Sequence, residues 1–254
     1  MKKTIMVLLT ALLLAVGIIS CGAEEETAEP PVAMEVTVES GYLSEEDPAD
    51  GSTLVEVSYQ TVTLPQAEAE RYPQLAAVLE ELRRETEDYA QMWLKECGEY
   101  ALQYAEEMGE ELFFAFTSSR ECFVQRADST VLSIRFDCSE YTGGAHSNYG
   151  SACYNYDSAT GRELLLTDVV TDMDALRTAV AEKLRELEIN EPMDHVEETL
   201  ALFEAEDFVW SFSDSGITVY FDPYVLASFA AGQLTATIDA AEYPVLFRET
   251  YYFG

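Results

Sequence analysis

Residues 141–150 read YTGGAHSNYG, and this ten-residue stretch decides how the rest of the chain is interpreted. An alternation of apolar and polar residues precedes it at 131–138, and a second one follows it at 152–157. Alternation with a period of two is typical of half-buried β-strands. Gly143 and Gly144 give the backbone access to positive φ, which a tight connection between strands needs. The stretch therefore predicts a long, irregular loop between two antiparallel strands.

The composition of this loop leaves two interpretations open. Its tyrosines and His146 pack and hydrogen-bond within the fold in the first interpretation, and the loop has no further role. In the second, the loop recognises a ligand, because binding residues are often carried on loops that a rigid scaffold positions.

The start of the chain has the pattern of a lipoprotein signal peptide, which we assign to residues 1–20. Lys2 and Lys3 form a charged segment, residues 5–19 are an apolar run, and Ile-Ile-Ser-Cys21 reads as a lipobox. Cys21 would then carry the lipid, and the protein would be anchored to the extracytoplasmic face of the membrane. An ordinary signal peptide or a short anchor helix is the alternative. No later stretch is long and apolar enough to span a bilayer.

The chain is strongly acidic, with 48 acidic and 14 basic residues and a formal charge of −34. Removing residues 1–20 removes two lysines and no acidic residue, which changes this charge to −36. Such a surface repels nucleic acid and attracts cationic partners. Solubility alone, or adaptation to a salty habitat, also explains a charge of this size.

Four cysteines follow Cys21 and would allow two disulfides in three connectivities. Cys138 lies on the apolar face of its strand, whereas Cys153 alternates with polar residues. We therefore expect free, mostly buried thiols at Cys97, Cys122, Cys138 and Cys153. Cys138, His146 and Cys153 lack the paired close spacing of a structural zinc site, so we expect neither a metal nor a cofactor.

Hydrophobic periodicity predicts the remaining elements. Residues 21–52 are acidic with few large apolar side chains and predict a tether. Residues 54–64 alternate as a strand, and apolar residues at helical spacing from Pro73 to Met108 predict one long helix, or two helices broken near Gly98. Tyr89 and Trp93 fall on the apolar stripe of this helix and are expected in the core.

The second half predicts mainly short strands with two shorter helices. Asp168, Asp172 and Asp174 are explained by helix capping rather than by a metal site. Strands are expected within 112–126 and at 131–138, 152–157, 163–166, 208–212, 217–221 and 234–238, and helices from 168 and over 192–206. We predict an α+β fold with an antiparallel sheet packed against one long helix and two shorter helices.

The sequence contains no recognisable catalytic motif. A glycine-rich phosphate loop, GxSxG, HExxH and paired CxxC are all missing. His146 is adjacent to Ser147, but adjacency in sequence is not the geometry of a nucleophile and its base. We expect a protein that is not an enzyme.

Two separated motifs resemble a known family. Residues 141–146 (YTGGAH), 154–157 (YNYD) and 160–163 (TGRE) resemble the extracytoplasmic domain of RsiV-type anti-sigma factors. Residues 221–224 (FDPY) and 230–232 (AAG) are similar to a second segment of that domain. Related non-catalytic domains accompany the peptidoglycan deacetylase PdaC. By this resemblance, residues 112–254 correspond to the RsiV-like domain and 53–111 to the PdaC-like strand and helix that precede it.

The resemblance implies an α+β fold in which the two motif loops lie near each other and bind lysozyme. No cytoplasmic anti-sigma segment and no deacetylase domain is recognisable here, so a binding surface is what carries over. The expected binding residues are Tyr141, Thr142, Gly143, Gly144, His146, Ser147, Asp222, Pro223, Tyr224 and Gly232.

Three functions remain open from the sequence. The first is a surface lipoprotein that binds lysozyme or another basic, cell-wall-directed protein. The second is a module that binds peptidoglycan, and the third, less favoured, is an unrecognised hydrolase. Loss of binding with salt favours the first function, because screening weakens the attraction between a basic partner and an acidic surface.

Overall fold

The computed structural model describes residues 30–108, 113–189, 192–193 and 195–251. The predicted signal peptide and Cys21 lie outside these residues. Within the described part of the chain, no helix combines the length and apolar character that crossing a membrane would take.

A five-stranded sheet forms the first half of the fold. Its strands lie in chain order: β1 (Thr37–Glu46), β2 (Thr53–Thr63), β3 (Phe116–Ala127), β4 (Val131–Tyr141) and β5 (Asn148–Asp157). All neighbours are antiparallel except β2 and β3, which run parallel and so need a long crossover connection. That crossover contains α1 (Gln66–Arg71) and α2 (Pro73–Met108). Strands from both predicted regions, 53–111 and 112–254, therefore lie in one sheet.

The long helix α2 covers one face of this sheet, as its apolar stripe predicts. Leu75 and Leu79 are buried with Ile134 of β4. Trp93 is buried with Val57 of β2 and Phe116 of β3. Gly98 does not break the helix, and an added Cβ there would lie 3.1 Å from the Glu45 carboxyl carbon. The helix is therefore continuous over 36 residues.

The core prediction is confirmed for Trp93 and wrong for Tyr89. Trp93 is only 7% exposed, whereas Tyr89 is 43% exposed. The Tyr89 ring lies at the border of the apolar stripe, and its hydroxyl donates a hydrogen bond to the Glu140 carboxylate. A phenol can keep its polar end at the surface while its ring covers apolar groups.

The predicted tether is wrong for residues 37–46, which form β1. This strand is an edge strand whose residues are mostly exposed, so its sequence TVESGYLSEE carries no apolar alternation. The strand is instead held by its pairing with β2. In that pairing Gly41 leaves room for the ring of its cross-strand partner Tyr59. Met34, just before the strand, is also buried.

A smaller antiparallel sheet and two helices form the second half. The strands are β6 (Val209–Phe212), β7 (Gly216–Phe221) and β8 (Leu234–Asp239), and the helices that follow the turn α3 (Leu166–Val169) are α4 (Met173–Arg185) and α5 (Val196–Leu202). Asp172 caps α4 by accepting from the amides of Asp174 and Ala175, as predicted. The strand predicted at 163–166 is wrong, since Glu163 makes only an isolated bridge with Tyr156 before α3 begins. The α+β class is confirmed.

Buried polar groups join the two sheets. The Ser133 hydroxyl donates to the Asn155 side-chain oxygen over 2.6 Å and accepts from the Phe212 amide over 3.0 Å. The Asn155 amide donates to the Trp210 carbonyl over 2.9 Å. Buried polar groups are costly unless they are paired, so breaking these hydrogen bonds would be unfavourable. The bonds therefore hold β6 against the face of the large sheet opposite α2.

The four described cysteines are free thiols, as predicted, and each is partly buried. Burial raises the pKa of the Cys153 thiol to about 12 and that of Cys122 to about 11. A thiol with a raised pKa is a weak nucleophile near neutral pH because little of it is thiolate.

Candidate functional site: the two-loop surface

The two motif loops meet at one edge of the molecule. Residues 141–151 connect β4 to β5 and begin that strand, and residues 222–233 connect β7 to β8. We call their union the two-loop surface. It contains an inner layer, in which side chains bind one another, and an outer rim, in which aromatic rings reach solvent.

Asp222 is the centre of the inner layer. Its Oδ1 atom accepts from the Ser151 amide over 3.0 Å and from the Gln233 side-chain amide over 2.9 Å. Gln233 also donates to the Ser151 hydroxyl, which donates in turn to Asp137 on β4 over 2.7 Å. The inner layer, defined as Gly150, Ser151, Asp222 and Gln233, therefore ties β8 and the second loop to β5.

Gly150 makes this arrangement possible. A Cβ atom at this position would overlap the Asp222 carboxylate. An isolated glycine inside a strand often marks such a close approach by another group. The glycine therefore admits the carboxylate that holds the two loops together.

Positive φ angles shape the first loop. Gly143 and Gly144 have φ values of 94° and 102°, which side chains rarely tolerate. The Tyr141 hydroxyl donates across this turn to the Gly144 carbonyl over 3.3 Å. Gly143 lies against the ring of Tyr104 on α2, with 3.2 Å between an added Cβ and that ring. The first loop thus packs against the long helix α2.

The outer rim is built around Phe229, which the second loop supplies in a short 3-10 turn. The His146 ring stacks on Phe229 with 3.8 Å between ring centroids and 19° between planes. Tyr149 meets the same ring edge-on at 5.4 Å, and Tyr224 lies 5.8 Å away. The outer rim, defined as His146, Tyr149, Tyr224 and Phe229 with the adjoining Ser147, therefore joins groups from both loops.

Tyr224 has an unusual backbone conformation. Its φ is 72°, in the left-handed region, while its side chain is 67% exposed. Pro223 precedes it, and the Val225 amide donates to the Asp222 carbonyl over 3.2 Å, which is the pattern of a type II turn with tyrosine where glycine is usual. Leu226 is buried just beyond this turn and anchors it. The loop therefore holds a bulky ring in solvent at a cost in backbone strain.

The remaining predicted residues have different positions. Thr142 is exposed, and Gly232 has a φ of 75° where the 3-10 turn ends. The His146 Nδ1 atom lies 3.0 Å from the backbone oxygen of Ser147, not from its hydroxyl. This contact is not that of a nucleophile and its base. Asp222, predicted to bind a ligand, is engaged within the fold.

Five residues of the two-loop surface were missed from the sequence: Tyr149, Gly150, Ser151, Phe229 and Gln233. The glycine between Tyr149 and Ser151 was a usable signal, because a strand interior seldom contains glycine without a close approach. Gln233 and Phe229 gave no signal, since their partners lie far away along the chain.

Comparisons with known proteins agree with this fold. Residues 165–241 match the family model DUF3298. That model is described as a protein of unknown function, and the matched segment contains the second loop but not the first. No curated protein matches the chain.

Two solved structures of DUF3298 proteins are similar to this one. The protein from Bacteroides fragilis is 18% identical with a TM-score of 0.57, and the match covers 86% of this chain and 96% of that one. The protein from Pseudomonas aeruginosa PAO1 is 15% identical with a TM-score of 0.55, covering 87% and 97%. At these identities the likeness shows a common fold and nothing about activity.

Among the described residues, no group of three or more His, Cys, Asp or Glu side chains is placed to hold a metal ion. The chemistry that the two-loop surface offers is that of aromatic rings, hydroxyls and backbone amides, which suits recognition.

Proposed function

We propose that this chain is a lipid-anchored, extracytoplasmic and non-catalytic binding protein, whose two-loop surface takes a basic, cell-wall-directed protein such as lysozyme. The lipid anchor follows from the lipobox at Cys21, and the partner class from the resemblance to RsiV-type domains. The two loops that carry the resemblance are the ones that meet in the fold.

The exposed, strained Tyr224 is the observation that carries this proposal. A bulky residue at positive φ costs about 1–3 kcal/mol and persists only where the surroundings impose it. An interior aromatic residue could repay such a cost by burial, but Tyr224 is 67% exposed. The backbone strain at the exposed Tyr224 is explained if this conformation holds the ring where a partner can bind it.

The rim around Tyr224 is fixed before any partner arrives. Phe229 contacts His146, Tyr149 and Tyr224, and the inner layer holds both loops from beneath. Tyrosine adds large contact area with few rotatable bonds, and a pre-ordered surface loses less entropy on binding. These features favour a protein partner that needs a firm aromatic anchor.

The charge of the chain favours a basic partner. At −34 the protein field attracts cations and raises their association rate at low salt. We therefore expect binding that weakens with salt mainly through slower association.

A peptidoglycan-binding module is the second candidate. The exposed rings of Tyr149 and Tyr224, which are 39% and 67% exposed, offer apolar surfaces on which a sugar ring could stack. Binding of an uncharged glycan would depend little on salt.

One experiment separates these candidates. The purified protein is passed over immobilised lysozyme and over purified peptidoglycan in parallel, at Debye lengths of about 30 Å and about 8 Å. The proposal expects lysozyme binding that falls at least tenfold at the higher salt. Salt-insensitive retention on peptidoglycan alone would support the glycan module, and retention on neither surface would overturn both candidates.

The anchor is tested separately. Cys21→Ser removes the thiol to which a lipid would attach, so the variant should leave the membrane fraction and appear in the soluble extracytoplasmic fraction. The measurement is fractionation followed by immunoblotting. Membrane retention of the variant would contradict the lipobox assignment without affecting the fold.

A further inference from the structure

A second concave site lies between α2 and the large sheet and plays no part in the proposed function. Its volume is about 160 Å³, and its lining includes Val57 and Ala90 as apolar walls. Ser118, Arg120 and Glu140 add polar groups from β3 and β4. An apolar cavity of about 150 Å³ in another protein holds benzene, so a ligand of about that size fits here.

Arg120 brings a positive charge that the fold leaves without a carboxylate. Of its five N–H donors, only Nη2 makes a hydrogen bond with a described residue, to the Tyr154 hydroxyl over 3.3 Å. Its Nε–H is buried and meets no acceptor among the described residues. No described carboxylate lies within 4.0 Å of it, in a chain with 48 acidic residues. A guanidinium with several free donors is well suited to bind a carboxylate.

The Arg120 side chain is nevertheless held in place. Its guanidinium carbon lies 4.1 Å from the centroid of the Phe136 ring and 5.7 Å from that of Tyr154. These cation–π contacts orient the Arg120 guanidinium group without using its N–H donors. The unused donors are therefore a fixed feature of the pocket.

Glu140 brings the opposite charge to the same pocket. Arg120 pairs with Cys138 across β3 and β4, and Ser118 pairs with Glu140, so Arg120 and Glu140 are diagonal neighbours on the sheet. Long side chains can span the roughly 7–8 Å between diagonal neighbours, but Arg120 and Glu140 form no ion pair in the described structure. Glu140 accepts from the Tyr89 hydroxyl, which leaves its second oxygen for another donor.

We propose that this pocket binds a small α-amino acid with a neutral side chain, whose carboxylate meets Arg120 and whose ammonium meets Glu140. Alanine has as many non-hydrogen atoms as benzene and carries both charges. Its methyl group would lie against Val57 and Ala90.

The pairing of charges favours a zwitterion over a simple anion or cation. A plain carboxylate would meet Arg120 but would also face Glu140 and the field of a chain at −34. A plain amine would leave the Arg120 donors unpaired. A zwitterion satisfies both groups and carries no net charge against that field.

Ligand-observed NMR on the purified full chain tests this inference with three probes of similar size: alanine, propionate and alaninamide. Propionate lacks the ammonium, and alaninamide lacks the carboxylate. We expect alanine to bind at least tenfold more tightly than either. Equal binding of propionate and alanine, or binding of none of the three, would overturn the proposal.

Variants connect the binding to the two charges. Arg120→Gln should weaken alanine binding at least tenfold, while the control Arg84→Gln, which removes the same charge from an exposed position on α2, should leave it unchanged. Glu140→Gln, at a partly exposed position, is the alternative test variant if Arg120→Gln fails to fold. It should weaken alanine binding and bring the alanine affinity close to that of propionate. Unchanged alanine binding in folded Glu140→Gln would contradict the proposal.

Discussion

The inner layer and the outer rim of the two-loop surface come from the same two loops but use their side chains in different ways. In the inner layer, Asp222 accepts two hydrogen bonds and has Gly150 directly beneath it. In the outer rim, Tyr224 and Tyr149 contact Phe229 while much of each ring stays in solvent. Hence the inner layer holds the loops in place, and we expect the rim to determine what they bind.

This contrast divides the binding residues expected from the sequence. Asp222 belongs with the residues that hold the loops, because its carboxylate is engaged on two sides. Tyr224, His146 and Ser147 remain available at the rim. Substitutions in the inner layer should change stability, and substitutions in the rim should change binding alone.

The largest expected effect concerns Cys153, which follows Ser151 by two residues on β5 and senses the charges of Asp137 and Asp222. Burial raises the pKa of its thiol to about 12, against a reference of 9.0. At pH 8 the thiolate fraction should be about a thousandfold lower than in the unfolded chain. Alkylation followed by peptide mass spectrometry should show Cys153 protected in the native protein and reactive in urea. Equal rates would mean that the Cys153 thiol is open to solvent in the native protein.

The same thiol predicts how stability changes with pH. Its folded pKa lies above its unfolded pKa, so the protonated thiol stabilises the native state below pH 9, and this contribution is lost as pH rises towards 12. The free energy of unfolding should therefore fall in alkaline solution. Cys153→Ala should make that fall shallower between those two pH values, as measured by urea unfolding.

Gly150→Ala should have the next largest effect. The new methyl group would displace the Asp222 carboxylate and break its bonds to Ser151 and Gln233, at a cost of about 2–4 kcal/mol. Urea denaturation measures this cost. In an Asp222→Ala background the methyl group has room, so Gly150→Ala should cost much less there. Equal costs in both backgrounds would refute the close approach.

Asp222→Ala should have a smaller effect, about 1–3 kcal/mol, because it leaves the Ser151 amide and Gln233 without their acceptor. Asp222→Asn retains an oxygen acceptor and should cost less. Asp214→Ala is a matched control, since Asp214 is exposed in the turn between β6 and β7. A stability loss no greater than that of the control would remove Asp222 from the inner layer.

The sequence predicted the strands and loops whose signal is local. Alternation located β2 and β4, apolar spacing located α2, and the motif loops were expected near each other, as they are. β1 was missed because an exposed edge strand needs no apolar alternation, and its order comes from pairing with β2.

The missed parts of the site depend on contacts between distant residues. Gln233 donates a hydrogen bond to Ser151, which lies 82 residues earlier in the chain, and no local sequence pattern predicts such a bond. The position of Tyr89 at the helix border depends likewise on Glu140, 51 residues away. Local patterns thus place elements, whereas the partners of polar side chains follow from the assembled fold.

The most direct test of the central claim uses the rim variants Tyr224→Ala and Ser147→Ala, with Tyr42→Ala as a control at another tyrosine that is 60% exposed. Thermal unfolding and lysozyme binding are measured for each. The account predicts melting temperatures within a few degrees of the parent, since exposed substitutions usually change stability by about 0.5 kcal/mol or less. It also predicts that binding weakens at least tenfold, about 1.4 kcal/mol, in the two rim variants and stays unchanged in the control. Rim variants that stay folded and bind lysozyme as the parent does would contradict it.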